Sequence, residues 1–246
     1  MKPERQNTLV VAVALAAILV IGSRSPQASA DDSREKQVKD AASQSAKAAK
    51  AFDGIMQVPD KAIPRELVAQ AKAIAVFPQV IKVAFAAGGG GGRGVVSRHI
   101  GDTWGEPVFF RARGGSVGAQ IGASSTDFVL LLMDDASVEA LMKDKFEVGA
   151  EVGATAGPVG ANLGAGTGTR PEAQILSYSR SRGLFAGANV KGVVIRPEDD
   201  LNMTIYSKTA RELLGHPIGA DATPAAGLRA FPQALGRYAS ATSEDR

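Results

Sequence analysis

Between residues 33 and 57 apolar and small residues recur at a helical period. At 100° per residue, Val38, Ala41, Ala42, Ser45, Ala49, Phe52 and Met56 share one stripe. Lys36, Lys39, Lys47 and Lys50 fall within roughly 80° of one another on the opposite side. An amphipathic helix is therefore predicted, ending before Pro59. A second helix is predicted to open at Pro64, whose missing N–H costs nothing in a first turn. Leu67, Val68, Ala71, Ile74 and Ala75 continue it at helical spacing, and Phe77-Pro78 should stop it.

From residue 80 the pattern shortens and glycine punctuates it. Residues 80–87 are β-compatible and run into Gly88–Gly92. Apolar or alternating runs at 95–100, 107–111, 116–121 and 128–133 predict antiparallel strands. A short helix is predicted over 137–145 behind Asp134-Asp135, whose carboxylates suit a helix N-terminus. In residues 146–169, Gly149, Gly153 and Gly157 stand four apart. That spacing fits either one bare face of a strand or a packing face of a membrane helix; Glu151, Pro158 and the lack of bulky apolar residues favour the strand. Residues 175–179 and 184–195 read as a hairpin across the polar turn 180–183. A last strand is predicted near 202–206 and a helix over 209–214 ending at Gly215, with a loosely ordered tail at 217–246. The resulting fold class is α+β: N-terminal helices packed on a curved, glycine-rich antiparallel β-sheet, with partial closure into a barrel as one form of that curvature.

The first thirty residues have a different pattern. Lys2 and Arg5 precede an uncharged run over 9–21, and Ala28-Ser29-Ala30 is an A-x-A cleavage pattern. Residues 1–30 are thus expected to be a cleavable secretory signal, leaving a domain at 31–216. The run is short for a permanent anchor, the alternative reading. The expected location is the periplasm or the exterior of a bacterial-type cell, peripheral to the membrane. Loss of this segment lowers the formal charge from +3 to +1, since Lys2, Arg5 and Arg24 leave with Glu4. Bulk charge therefore gives a nucleic-acid partner no support.

Candidate chemistry is sparse. There is no cysteine, which excludes disulfides, zinc–thiolate sites and thiol catalysis together. Gly89, Gly91 and Gly94 match a dinucleotide fingerprint formally, but a strand-like run follows where that fingerprint requires a helix. His99 has no acidic partner at helical spacing and reads as structural, while His216 stands near the last carbonyls of a helix. Asp127, inside an apolar strand, is expected to pair with Arg111 or Arg113. Ser124, Ser125, Ser177 and Ser179 lack a nucleophile-elbow context. No catalytic group, metal or cofactor is expected, and binding is favoured over catalysis.

The order of landmarks resembles the SYLF domain family. The resemblance rests on Ile63-Pro64, the run from Ala73 to Pro78, and the glycines leading to Gly94-Val95. It continues through Trp104-Gly105-Glu106-Pro107, Gly118 to Gly122, and Asp127 to Met133. Gly157 to Gly160, Ser177-Tyr178-Ser179, Gly183 to Gly187, Asn202 and Tyr206 complete it. Lys82-Val83 and Gly105 depart from the commonest family residues. The resemblance implies a module that binds membrane lipid, phosphoinositides in eukaryotic members and phospholipids in exported bacterial ones.

On that basis Lys36, Lys39, Lys47 and Lys50 are expected to face anionic phospholipid headgroups, with Arg93 and Arg98 as a second phosphate-contacting patch. Actin is not expected as a partner. The alternative is an envelope structural protein that pairs with a protein partner through a sheet edge.

Overall fold

The computed structural model describes residues 26–58, 62–84, 89–115, 122–148, 154–158, 175–181, 184–187, 193–218 and 227–239. Two units are distinguished, Met1–Lys36 and Gln37–Arg246. The first is described from Pro26 as helix, with residues 31–36 exposed. The predicted signal lies mostly outside the described residues, as do the predicted strand at 116–121, Gly149 and Gly153.

In chain order the elements are helices α1 (Pro26–Met56) and α2 (Arg65–Gln70), then strands β1 (Ala73–Ala84), β2 (Gly89–Ile100), β3 (Thr103–Trp104), β4 (Val108–Gly115) and β5 (Gly122–Leu132). Helix α3 (Asp135–Leu141) precedes β6 (Phe146–Glu147), β7 (Ala154–Ala156), β8 (Ile175–Ser181), β9 (Leu184–Gly187) and β10 (Val193–Pro197). Helices α4 (Asp199–Tyr206), α5 (Ala210–Gly215) and α6 (Ala230–Ala239) follow. The sheet runs β6-β10-β4-β2-β1-β5-β8-β7, with β3 on β2 and β9 on β8. It curls strongly into a half-barrel carrying helices, the expected α+β class. The pairing of β7 with β8 is parallel, so the sheet is mixed rather than wholly antiparallel.

Both faces of the sheet are covered, and the strands show why. Ile74, Val76, Val95, Phe109, Val129, Leu131 and Tyr178 belong to a core with α1, α2, α4 and α6. Their neighbours Ala73, Ala75, Phe77, Val96, Phe110, Leu130 and Leu132 belong to a second core with α3 and α5. Successive side chains point to opposite faces, so a strand buried on both sides reads as an unbroken apolar run.

That double burial explains one correction. Ile74 and Ala75, predicted to extend the second helix, lie in β1. Helix α2 ends at Gln70 because Ala71 is extended (φ −63°, ψ 132°), and a five-residue helical match cannot outweigh the β-branched Ile74 and Val76. Phe77-Pro78 does not stop the element either. Pro78 stands at a bulge, where the registers of β1 against β2 and β5 both shift and Gln79 takes φ +52°. A proline is tolerated there because no ladder bond needs its missing N–H. Asp127 accepts the Gln79 N–H at 2.9 Å and lies 3.7 Å from Arg180, not beside Arg111 or Arg113 as expected.

The described part of the glycine run, Gly89–Gly92, opens strand β2. Gly94 is directly under Phe77: a Cβ there would lie 2.2 Å from the ring, so only glycine admits it. Gly157 stands likewise against the Tyr178 ring at 2.1 Å.

The β8–β9 hairpin forms as predicted, and Val193–Pro197 pair with β4 and β6, while residues 188–192 of the predicted second strand lie outside the described residues. Two further predictions change. Residues 202–206, predicted as strand, lie in helix α4. Asp199 and Asp200 occupy its first turn, and buried Leu201, Asn202 and Ile205 recur at helical spacing. Residues 230–239, inside the stretch predicted as a loose tail, form α6 with Phe231, Ala234 and Leu235 buried.

Candidate functional site

Helix α1 buries Ala41, Gln44, Ser45, Ala48, Ala49, Ala51, Phe52, Ile55 and Met56. The centre of this stripe is rotated by about 50° from the sequence-based one, because Gln44, Ala48, Ala51 and Ile55 join it. The rotation leaves the basic arc outside: Lys39, Lys47 and Lys50 are exposed, and Lys36 is exposed in the first unit. Lys47 and Lys50 form no ion pair with any described residue. Among the described residues no helix is long and apolar enough to cross a membrane.

The helix is fixed to the domain by α6. Phe52 meets Phe231 and Tyr238 edge-on, with ring centroids 6.4 and 5.7 Å apart. Ser45 Oγ accepts the Phe231 N–H at 3.0 Å and donates to the Leu228 carbonyl. Arg237 reaches both Asp53 carboxylate oxygens at 2.9 and 2.8 Å.

The two arginines expected to form one patch are separated. Five positions apart in β2, they leave opposite faces of the sheet. Arg98 pairs with Asp135 at 2.9 Å and donates to the Leu214 carbonyl, joining α3 to α5. Arg93, on the α1 side, donates from Nε to Glu198 at 3.0 Å and from its terminal nitrogen to Asp40 at 3.0 Å. Burial opposes its charge, but the hydrogen bonds and charges of Glu198 and Asp40 raise its pKa above the ordinary arginine value.

Glu198 is the hinge of this region. Its side chain is only 6% exposed, and its second oxygen accepts from Arg111 at 3.1 Å. The register explains the convergence: Arg93 is opposite Arg111, and Arg111 is opposite Arg196, across β2, β4 and β10. Directly opposed like charges repel, so the row needs an interposed carboxylate. Arg113, two residues beyond Arg111, points to the same face. These residues line a cavity of about 610 Å³ closed on one side by Gln37 and Asp40 of α1. Sequence reasoning missed Arg111, Arg113, Arg196 and Glu198 as a group. The alternation of Arg111 and Arg113 was visible, but their alignment with Arg93 and Arg196 depends on pairing between distant strands.

The landmarks near Trp104 hold the fold together. Asn202 clamps α4 to β4, accepting the Phe109 N–H at 2.9 Å and donating to the Phe109 carbonyl at 3.1 Å. The Tyr206 hydroxyl donates to the Pro107 carbonyl at 3.0 Å, and burial raises its pKa. Buried Glu106 pairs with Arg229 just ahead of α6. His99 stacks on Trp104, with centroids 4.5 Å apart and planes within 9°. Burial lowers its pKa against the opposing Ala71 backbone hydrogen bond.

Comparison with known proteins fits this arrangement. A family model described as "Ysc84: Las17-binding protein actin regulator" matches residues 113–238, just over half of the 246-residue chain. The chain is 35% identical over 170 residues to an SH3 domain-containing protein of Schizosaccharomyces pombe, covering 67% of this chain and 39% of the relative. It is 33% identical over 155 residues to the human SH3 domain-containing YSC84-like protein 1, covering 62% and 45%. With Protein YSC84 of Saccharomyces cerevisiae the identity is 30% over 151 residues, covering 60% and 32%. The chain thus spans less than half the length of these curated relatives. The expectation that actin has no place among the partners is overturned by the description of the family as an actin regulator and by a yeast relative named LAS seventeen-binding protein 3. The match over residues 113–238, together with the ordered landmarks from Ile63 to Tyr206, means that the chain belongs to the Ysc84 family, the SYLF family its sequence resembles.

Proposed function

We propose that this chain is a non-enzymatic binding module that attaches to anionic phospholipid headgroups through the lysine arc of α1. The observation that carries the reading is the exposure of Lys39, Lys47 and Lys50 directly opposite the buried stripe, with Lys36 exposed in the preceding unit. Each lysine near an anionic surface contributes on the order of 1 kcal/mol, and salt screens the attraction within a Debye length of about 8–10 Å. Such binding is reversible and needs no apolar insertion, since Phe52 and Ile55 are fully buried.

Flotation with phosphatidylglycerol vesicles tests it. Wild type is expected to float and to be released as salt rises, whereas the K36Q/K39Q/K47Q/K50Q variant stays at the bottom of the gradient. Equal flotation of the two would refute the reading. The envelope location belongs to the same proposal: expressed in a bacterium with residues 1–30 intact, the chain should be recovered from the periplasm or medium with Asp31 at its N-terminus.

A second reading follows from the relatives' names: a protein partner of the Las17 or actin kind. Such a partner would bind a helical or charged surface rather than add a strand. Among the described residues the outermost strands in the sheet order, β6 and β7, are two and three residues long and offer little edge for pairing. Co-sedimentation with filamentous actin is the direct measurement.

A further inference from the structure

We propose that the cavity bounded by α1, β2, β4 and β10 is a binding site for a phosphate group, gripped by Arg113 and Arg196 with Arg111 completing the cradle. This site is distinct from the lysine arc and does not depend on it. Four guanidinium groups, those of Arg93, Arg111, Arg113 and Arg196, line one concavity. Its carboxylates are largely committed. Glu198 accepts from Arg93 and Arg111, and Asp40 from Arg93. Asp199 accepts the Ala210 N–H at 2.7 Å and lies 3.5 Å from the Asn202 amide. Asp200 is exposed at the rim. Among the described residues Arg113 and Arg196 pair with no carboxylate, and both are exposed and line the cavity.

The chemistry selects the ligand. A guanidinium presents parallel N–H donors that match two oxygens of a phosphate, which an ammonium cannot do. Arg111 and Arg196 are direct cross-strand neighbours, and Arg113 is next along β4. Side chains so placed start within about 4.5–8 Å of one another, so several forks can meet one tetrahedral anion. An anion there would also relieve the repulsion among the arginines that Glu198 and Asp40 balance only at the Arg93 end of the row. A cavity of about 610 Å³ admits more than a bare ion, so a phosphorylated headgroup or small phosphate ester fits.

Calorimetric titration of the full chain with sn-glycerol 3-phosphate and with inorganic phosphate tests the site, alongside flotation with phosphatidic acid vesicles. Wild type should bind glycerol 3-phosphate saturably, and R113Q/R196Q should weaken it by about tenfold or more, equivalent to 1.4 kcal/mol. K47Q/K50Q should leave that binding unchanged, which separates this site from the arc. Loss of soluble-phosphate binding alone marks a free phosphate ester as the occupant; loss of vesicle binding as well marks a lipid headgroup. Should R113Q/R196Q unfold, R113K/R196K keeps the charge, removes the forks, and is expected to bind severalfold more weakly. Absence of saturable binding to both soluble probes with unaltered flotation, or variants that bind like wild type, would overturn the proposal.

Discussion

Two basic regions flank the same helix, and they are built on opposite principles. The lysine arc lies on the open side of α1, and Lys47 and Lys50 form no ion pair with any described residue. The arginine row lies under the flank of α1, half-enclosed and threaded by a carboxylate that is nearly buried. Mobile ammonium groups in water attract any anionic surface without demanding a geometry. Guanidinium forks fixed by strand register attract only what fits between them. One helix therefore separates a region suited to loose attachment from one suited to selection.

The largest expected effect breaks both regions together. Phe52→Ala removes the ring that joins α1 to Phe231 and Tyr238 and should cost about 3–5 kcal/mol, read as a loss of denaturation midpoint at unchanged m-value. Glu198→Ala is next and strikes only the arginine row. It leaves Arg93 and Arg111 facing each other, and the loss should be about 1.5–3 kcal/mol, reduced by high salt. Neutralising Lys47 and Lys50 should change stability by no more than about 0.5 kcal/mol, because both are exposed and form no ion pair with any described residue. The contrast between these two stability losses is the sharpest test of the distinction.

The smallest effect is a pH dependence outside both regions. Burial holds the His99 pKa below its ordinary 6.5, so the unfolded chain takes up a proton first as pH falls. The stabilisation is complete above about pH 6.5 and declines with acidification through that value. Thermal melts between pH 7.5 and 5.5 should show a steeper decline for wild type than for His99→Gln.

What could be read beforehand follows from which forces act locally. The lysines of α1 share an arc because of helical period alone, and that survived even though the buried stripe turned out to be rotated. The rotation itself depends on Gln44 and Ala48, residues whose burial is decided by what packs on them. The second helix was overextended because isoleucine and alanine at 74 and 75 suit a buried strand as well as a helix. Helix α4 was read as a strand because Asn202 to Tyr206 alternates over too few residues to distinguish a period of two from 3.6. Helix α6 was missed because the Ala, Pro and Gly content of residues 218–230 obscured Phe231 and Leu235. The arginine row is a product of registers between strands as far apart as β2 and β10, which no local pattern reports.

The fastening of α1 by α6 has a consequence for how the chain is made. Asp53 and Ser45 find their partners at Arg237, Leu228 and Phe231, more than 180 residues downstream. At about 5–20 residues per second, synthesis leaves the oily side of the first helix without its lid for on the order of ten seconds. During that interval the nascent polypeptide presents an adhesive surface, and a holding factor or rapid delivery to its destination is what would keep it from clumping.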